Sequence, residues 1–145
     1  LRAMLIVCTH CQATNRVPSD RAAEDPVCGK CGTPLLDGSP VELSDATFDR
    51  VVSKTEIPLV VDFWAAWCGP CRMMEPHFVQ AAKRLKGRVL LARVNSDENP
   101  QTSSRHAIRS LPTLLMLRNG AELKRQAGSI GTAQIVAWSE AGLAA

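Results

Sequence analysis

Six cysteines fall into three Cys-x2-Cys pairs: Cys8 with Cys11, Cys28 with Cys31, and Cys68 with Cys71. Sixteen residues separate the first pair from the second, which is the spacing of a four-thiolate tetrahedral zinc site. Each such turn presents two sulfurs on one side of a tight knuckle, with Gly29 and Gly32 expected to let the backbone bend. Cys8, Cys11, Cys28 and Cys31 together leave no open coordination position, so one Zn2+ per chain is expected to be structural rather than catalytic. His10 lies inside the first knuckle and is expected to point away from the metal.

The third pair has different surroundings. Trp67-Cys68-Gly69-Pro70-Cys71 follows an apolar run and opens a helical pattern. At a helix N-terminus, unpaired backbone N–H groups and the positive end of the macrodipole favour a thiolate at Cys68. A fall in its pKa from about 8.5 towards 7 corresponds to roughly 2 kcal/mol, within reach of a partly buried helix terminus. A thiol with a pKa near ambient pH attacks disulfides best, so Cys68 is the expected nucleophile. Cys71, one turn later, is placed to attack the mixed disulfide and close a redox-active Cys68-Cys71 bond. Gly69 and Pro70 keep the intervening loop short and stiff. Half of a second zinc site is the rival reading, but no further Cys-x2-Cys pair completes it.

Positioning these residues requires two units. Residues 1–39 contain four cysteines, no aromatic residue, and the punctuation Pro18, Pro26, Pro34, Gly29, Gly32 and Gly38. A segment this short cannot bury a useful core alone and needs a cross-link, which fits a small N-terminal zinc ribbon. Residues 40–145 alternate between strand and helix patterns. Strands are predicted at 41–43, 59–64, 89–94, 113–117 and 122–127, the last two joined by a tight turn at Asn119-Gly120. Helices are predicted from Ser44 as N-cap to 55, then over 69–86, 100–107 and 132–143, the last burying Ile135 and Trp138. Met74, Phe78, Ala81, Ala82 and Leu85 form a stripe that extends back to Cys71 but not to Cys68, so Cys71 faces inward. The fold class is α/β, a mixed central sheet with helices on both faces.

Asp62 interrupts the apolar strand six residues before Cys68. A buried carboxylate is costly unless paired or protonated, so it is either answered by Arg93 or Lys86 or is functional. The functional reading is a proton acceptor for Cys71, through water, with burial raising its pKa.

The balance of the chain bounds its partners. Net charge is +3, with 46% hydrophobic and 21% charged residues, which describes a globular protein without a membrane segment. Leu5-Ile6-Val7 is too short for a secretory h-region, so a cytoplasmic location is expected, where thiols stay reduced. In the ribbon, Arg2, Arg16, Arg21 and Lys30 are balanced by Asp20, Glu24, Asp25 and Asp37. With no ring for stacking either, nucleic acid is not expected as a partner. His77 and His106 each stand alone on a predicted helix and read as solvated or packed.

The run Val61-Asp62-Phe63-Trp64-Ala65-Ala66-Trp67-Cys68-Gly69-Pro70-Cys71, with Pro76 and Ser110-Leu111-Pro112-Thr113, resembles the thioredoxin family over residues 59–128. With the Cys-x2-Cys pairs in front, the whole chain resembles the zinc-containing bacterial branch of that family. The resemblance implies the thioredoxin fold over 40–145, with a five-stranded sheet and a cis peptide before Pro112. It also implies protein-disulfide reductase activity on oxidised protein substrates and re-reduction by an NADPH-dependent thioredoxin reductase. Substrate would pair with the backbone of Leu111 at Pro112, in a groove completed by Trp67, Gly69, Pro70 and the Gly128 region. Arg93 stands where the family usually has lysine, and a guanidinium that stays charged cannot share a titrating proton with Asp62. Rival readings use the same pair as a disulfide oxidase or isomerase, or make the ribbon a device that recruits one partner. Arg109, near the substrate loop, would favour acidic partners.

Overall fold

The computed structural model describes residues 2–144. Two antiparallel strands, β1 (Ala3–Val7) and β2 (Thr14–Pro18), open the chain and lead through a single 3-10 turn into the second cysteine knuckle. After them come β3 (Val41–Glu42), α1 (Phe48–Lys54), β4 (Leu59–Trp64), α2 (Gly69–Arg84) and β5 (Leu90–Asn95). The chain ends with α3 (Pro100–Arg105), β6 (Thr113–Arg118), β7 (Ala121–Ala127) and α4 (Thr132–Leu143). The main sheet has the order β3-β5-β4-β6-β7, with β4 parallel to β5 and antiparallel to β6.

Strand β4 lies at the centre and is buried on both faces, as its unbroken apolar run requires. Its side chains alternate. Leu59, Val61 and Phe63 join Phe48, Val51 and Val52 of α1 in one core layer. Val60 joins Met74, Phe78 and Ala81 of α2, with Ile135 of α4, in the other. Asp62 shares the parity of Val60 and therefore stands on the α2 side of the sheet.

The ribbon does not stand apart. Ile6, Val7 and Val17 are buried in the same layer as Phe48 and Val51. One edge of β1 is bound by the segment after α1: the Glu56 N–H donates to the Leu5 carbonyl at 2.8 Å, and the Val7 N–H donates to Thr55 Oγ1 at 3.2 Å. Arg50 on α1 donates to the Gln12 carbonyl and to Thr14 Oγ1, and Lys86 pairs with Asp25 at 2.6 Å. The ribbon thus borrows its core from the larger unit, which is how so short a segment is kept folded.

Three expectations change. The first helix begins at Phe48 rather than just after Ser44. Asp45 is turned towards α3, accepting from Thr102 N–H and Oγ1 and from Gln101 N–H, while its own N–H donates to Asn99 Oδ1. That commitment holds 44–47 in a turn. Trp138 is half-buried, because the Lys124 ammonium lies 4.4 Å from its ring centroid and donates to its carbonyl. Lys86 serves Asp25, not Asp62.

Candidate functional site

Cys68 is the N-cap of α2, and its sulfur accepts the Cys71 N–H at 3.2 Å. This is the contact a thiolate needs, made by one of the N–H groups that a helix leaves unpaired at its start. Pro70 occupies the first turn, where its missing N–H costs nothing. The two sulfurs are joined as a disulfide, with the Cα atoms 5.3 Å apart. Cys68 keeps 4% exposure and Cys71 1%, so a partner meets the pair from the Cys68 side. Gly69 has ordinary backbone angles, and a Cβ there would touch nothing within 4 Å. Its bare surface leaves the approach to the sulfurs open.

The loop before β6 closes the other side. The Leu111-Pro112 peptide is cis, and the Leu111 carbonyl oxygen lies 3.6 Å from Cys68 Sγ. Thr113 Oγ1 donates to the Ser110 carbonyl at 2.7 Å, and the Gly128 N–H donates to the Pro112 carbonyl at 2.9 Å, so both ends of the loop are held. Gly128 has a φ of +94°, which favours glycine at this corner. Leu111 and Trp64 pack against Ala65 and the two cysteines. Trp67 is 69% exposed, its indole N–H held by Asp97 Oδ2 at 2.9 Å. Met73 on α2 is 70% exposed, which sequence reasoning missed, since an exposed methionine on a helix carries no pattern. Arg109 lies on the rim of an adjoining cleft of about 430 Å3 with Thr113, Arg125 and Ala127.

Asp62 is wholly buried. Burial pushes its carboxyl up to about 7, with the Arg93 guanidinium as the main opposing influence. Arg93 faces it across the β4–β5 register, but Nε is 3.7 Å from Oδ2, close enough for an ion pair and too far for a hydrogen bond. Of the two cations expected to answer Asp62, Arg93 is the one that does so, yet neither carboxyl oxygen has a hydrogen-bond donor. His106 is packed against the rings of Phe48 and Phe63, and burial lowers its pKa. His77 Nδ1 lies 2.8 Å from Thr132 Oγ1 at the start of α4. Neither joins the cysteines.

The four ribbon sulfurs lie within 4.8 Å of one another, with Cys8–Cys31 and Cys11–Cys28 both 3.6 Å apart. A tetrahedron with 2.3 Å metal–sulfur bonds has edges of about 3.8 Å, so the donor set fits zinc. The two knuckles repeat each other. Gln12 N–H donates to the Cys8 carbonyl and Gly32 N–H to the Cys28 carbonyl; Cys8 N–H donates to Ala13 and Cys28 N–H to Thr33. The left-handed residues are Gln12 (φ 67°) and Gly32 (φ 78°), so Gly29 is not needed for the bend. Around the sulfurs, Lys30 N–H and Asn15 Nδ2 donate to Cys28, and Cys11 N–H donates to Cys8. Such donors stabilise thiolates in a metal shell. His10 is exposed outside it.

Residues 39–141 match the family model described as thioredoxin, and residues 7–33 match the one described as the N-terminal region of thioredoxin 2. Thioredoxin C-3 of Corynebacterium nephridii is 40% identical over 93% of this chain and 92% of its own length. A thioredoxin of Rhodospirillum rubrum is 40% identical over 69% of this chain and 96% of its own. Among solved structures, chloroplastic thioredoxin z superposes with a TM-score of 0.67 at 30% identity, covering 74% of this chain and 96% of that one.

Proposed function

The chain belongs to the thioredoxin family, and from that membership we propose that it works as a reductant of protein disulfides, using Cys68 to attack and Cys71 to resolve. The observation that carries this reading is the Cys68 sulfur at the head of α2, accepting the Cys71 N–H and lying against the Leu111 carbonyl. In the reduced protein the Cys68 thiolate attacks one sulfur of a substrate disulfide. The other sulfur leaves as a thiolate and takes up a proton. Cys71 then loses its proton, attacks Cys68, and expels the second substrate thiolate. Two electrons pass to the substrate and the protein is left as the disulfide. Substrate backbone pairs beside Leu111 and Pro112, while Trp67, Gly69, Pro70 and Gly128 border the groove. An NADPH-dependent thioredoxin reductase returns the electrons.

The test is insulin-disulfide reduction with reductase and NADPH, together with the potential of the pair. Turnover and a potential near −270 mV are expected; a value near −120 mV would mark an oxidant and reverse the direction.

Asp62 accepts the Cys71 proton in this scheme, supported by its burial, its place on the α2 side and its pKa near 7. Asp62→Asn is expected to slow resolution about a hundredfold at neutral pH and the first attack far less. Rapid-mixing measurement of both steps checks this; equal slowing of the two would remove the role.

Cys8, Cys11, Cys28 and Cys31 hold one zinc, which supplies a cross-link and no reaction step. No helix among the described residues is long and apolar enough to cross a membrane, and we assign the protein to the cytoplasm, where thiols stay reduced. Because the ribbon shares a core layer with α1, withdrawing the metal is expected to weaken the whole fold. At free zinc a hundredfold above Kd the loss is about 3 kcal/mol, read as a lower melting temperature with chelator, with one zinc released per chain. An unchanged melting temperature would leave the ribbon energetically separate and strengthen a recruiting role for it.

A further inference from the structure

Arg93 stands among three carboxylates. Its Nη2 is 3.0 Å from Glu75 Oε2 on α2, Nη1 is 3.4 Å from Glu42 Oε1 on β3, and Nε is 3.7 Å from Asp62 Oδ2 on β4. The pairing runs against solvation. Glu75 and Glu42 are 52% and 61% exposed, whereas Asp62 is wholly buried, and Coulomb attraction is strongest where water is excluded. When ionised, Asp62 would draw the guanidinium more strongly than either exposed glutamate. Instead both Asp62 oxygens and Arg93 Nε lack hydrogen-bond partners. The Trp64 ring lies 4.2 Å from Arg93 Cζ and covers one face of the guanidinium, while Glu75 makes the shortest of its three carboxylate contacts.

We propose that Glu75 is a positioning residue, which holds the Arg93 guanidinium beyond hydrogen-bond reach of Asp62 and so keeps the buried carboxyl able to accept the proton of Cys71. The functional half rests on the reading of Asp62 as proton acceptor; the structural half does not. The charged groups facing Asp62 are Arg93 from β5, Glu42 from β3 and Glu75 from α2, while β6 sets Leu114 opposite it. Cys68 and Cys71 on α2 carry no charge when joined. Arg93 is the main influence opposing burial at Asp62, so a shift of the guanidinium by a fraction of an ångström alters how tightly the carboxyl holds its proton.

The experiment follows the Asp62 carboxyl by carbon NMR against pH in the oxidised protein, comparing native chain, Glu75→Gln, Arg93→Met and the double variant. Glu75→Gln is expected to lower the Asp62 midpoint by at least about half a unit, because the released guanidinium turns inward. In the Arg93→Met background the same substitution is expected to do little, since its effect runs through Arg93. No shift in the single variant, or an equal shift in both backgrounds, would overturn the proposal; the second result would mean that Glu75 acts on Asp62 directly through its charge. Should Arg93→Met fail to fold, Glu75→Asp replaces it: a shorter carboxylate that keeps the charge is expected to lower the midpoint, whereas a direct charge effect would leave it unmoved. A shifted midpoint with an unchanged pH profile for resolution would support Glu75 and remove Asp62 from the chemistry.

Discussion

Cys68→Ser is expected to lose protein-disulfide reduction by at least about three orders of magnitude, while Cys71→Ser is expected to stop at a stable mixed disulfide with its substrate. The asymmetry follows from position. Cys68 caps α2 and receives the Cys71 N–H on its sulfur, so its anion is stabilised before any substrate arrives. A serine hydroxyl at the same point ionises far too weakly to use that stabilisation and forms no disulfide. Cys71 is more deeply buried, at 1% exposure, and meets an incoming protein only after Cys68 has bonded to it. Removing it leaves the first attack intact and deletes the second. Mass spectrometry of non-reduced mixtures reads the trapped species as the summed mass of protein and substrate chain. Appreciable turnover by Cys68→Ser, or trapping through Cys71 in that variant, would exchange the two roles.

Both chemical centres were legible because cysteine spacing is a local signal. Two Cys-x2-Cys knuckles and a third pair at a strand-to-helix junction keep their meaning wherever the rest of the chain goes. The helical stripe through Met74 and Phe78 likewise placed Cys71 inward, and it is. Relations across the sheet were harder to read. Arg93 was a candidate partner for Asp62, but the competing claims of Glu75 and Glu42 come from α2 and β3 and depend on strand order and register. The docking of β1 on the segment after α1 joins residues about fifty apart, through one backbone pair that any sequence provides and one threonine hydroxyl that carries no pattern. Gln12 shows the same limit within one knuckle. Glycine fills the left-handed position in the second knuckle, whereas in the first a non-glycine residue is held there, its side chain donating to the Thr9 carbonyl.

Asp62→Ala is expected to raise stability at pH 8 and to lose that advantage at pH 4. The folded carboxyl has a pKa of about 7 against an unfolded value of 3.8, because burial disfavours its charge. Between those limits the native protein holds a proton that the unfolded chain releases, so stability falls as pH rises through the window and levels off above 7. A difference of about three units corresponds to about 4 kcal/mol that the native residue takes from the fold at pH 8. Below pH 4 both states are protonated and the cost disappears. Truncation to alanine removes two buried oxygens that have no hydrogen-bond donor, while Arg93 keeps Glu75 and Glu42. The small void it leaves costs about 1 kcal/mol. The net gain at pH 8 is thus about 3 kcal/mol, turning into a slight loss at pH 4. Denaturant unfolding of the oxidised forms at the two pH values measures it, with the disulfide intact so that no thiol titrates in the window. A gain that did not vary with pH would mean that Asp62 is ionised in the folded protein throughout. The ion pair with Arg93 would then outweigh burial, and a carboxylate already stabilised in that way would be a poor acceptor for the proton of Cys71.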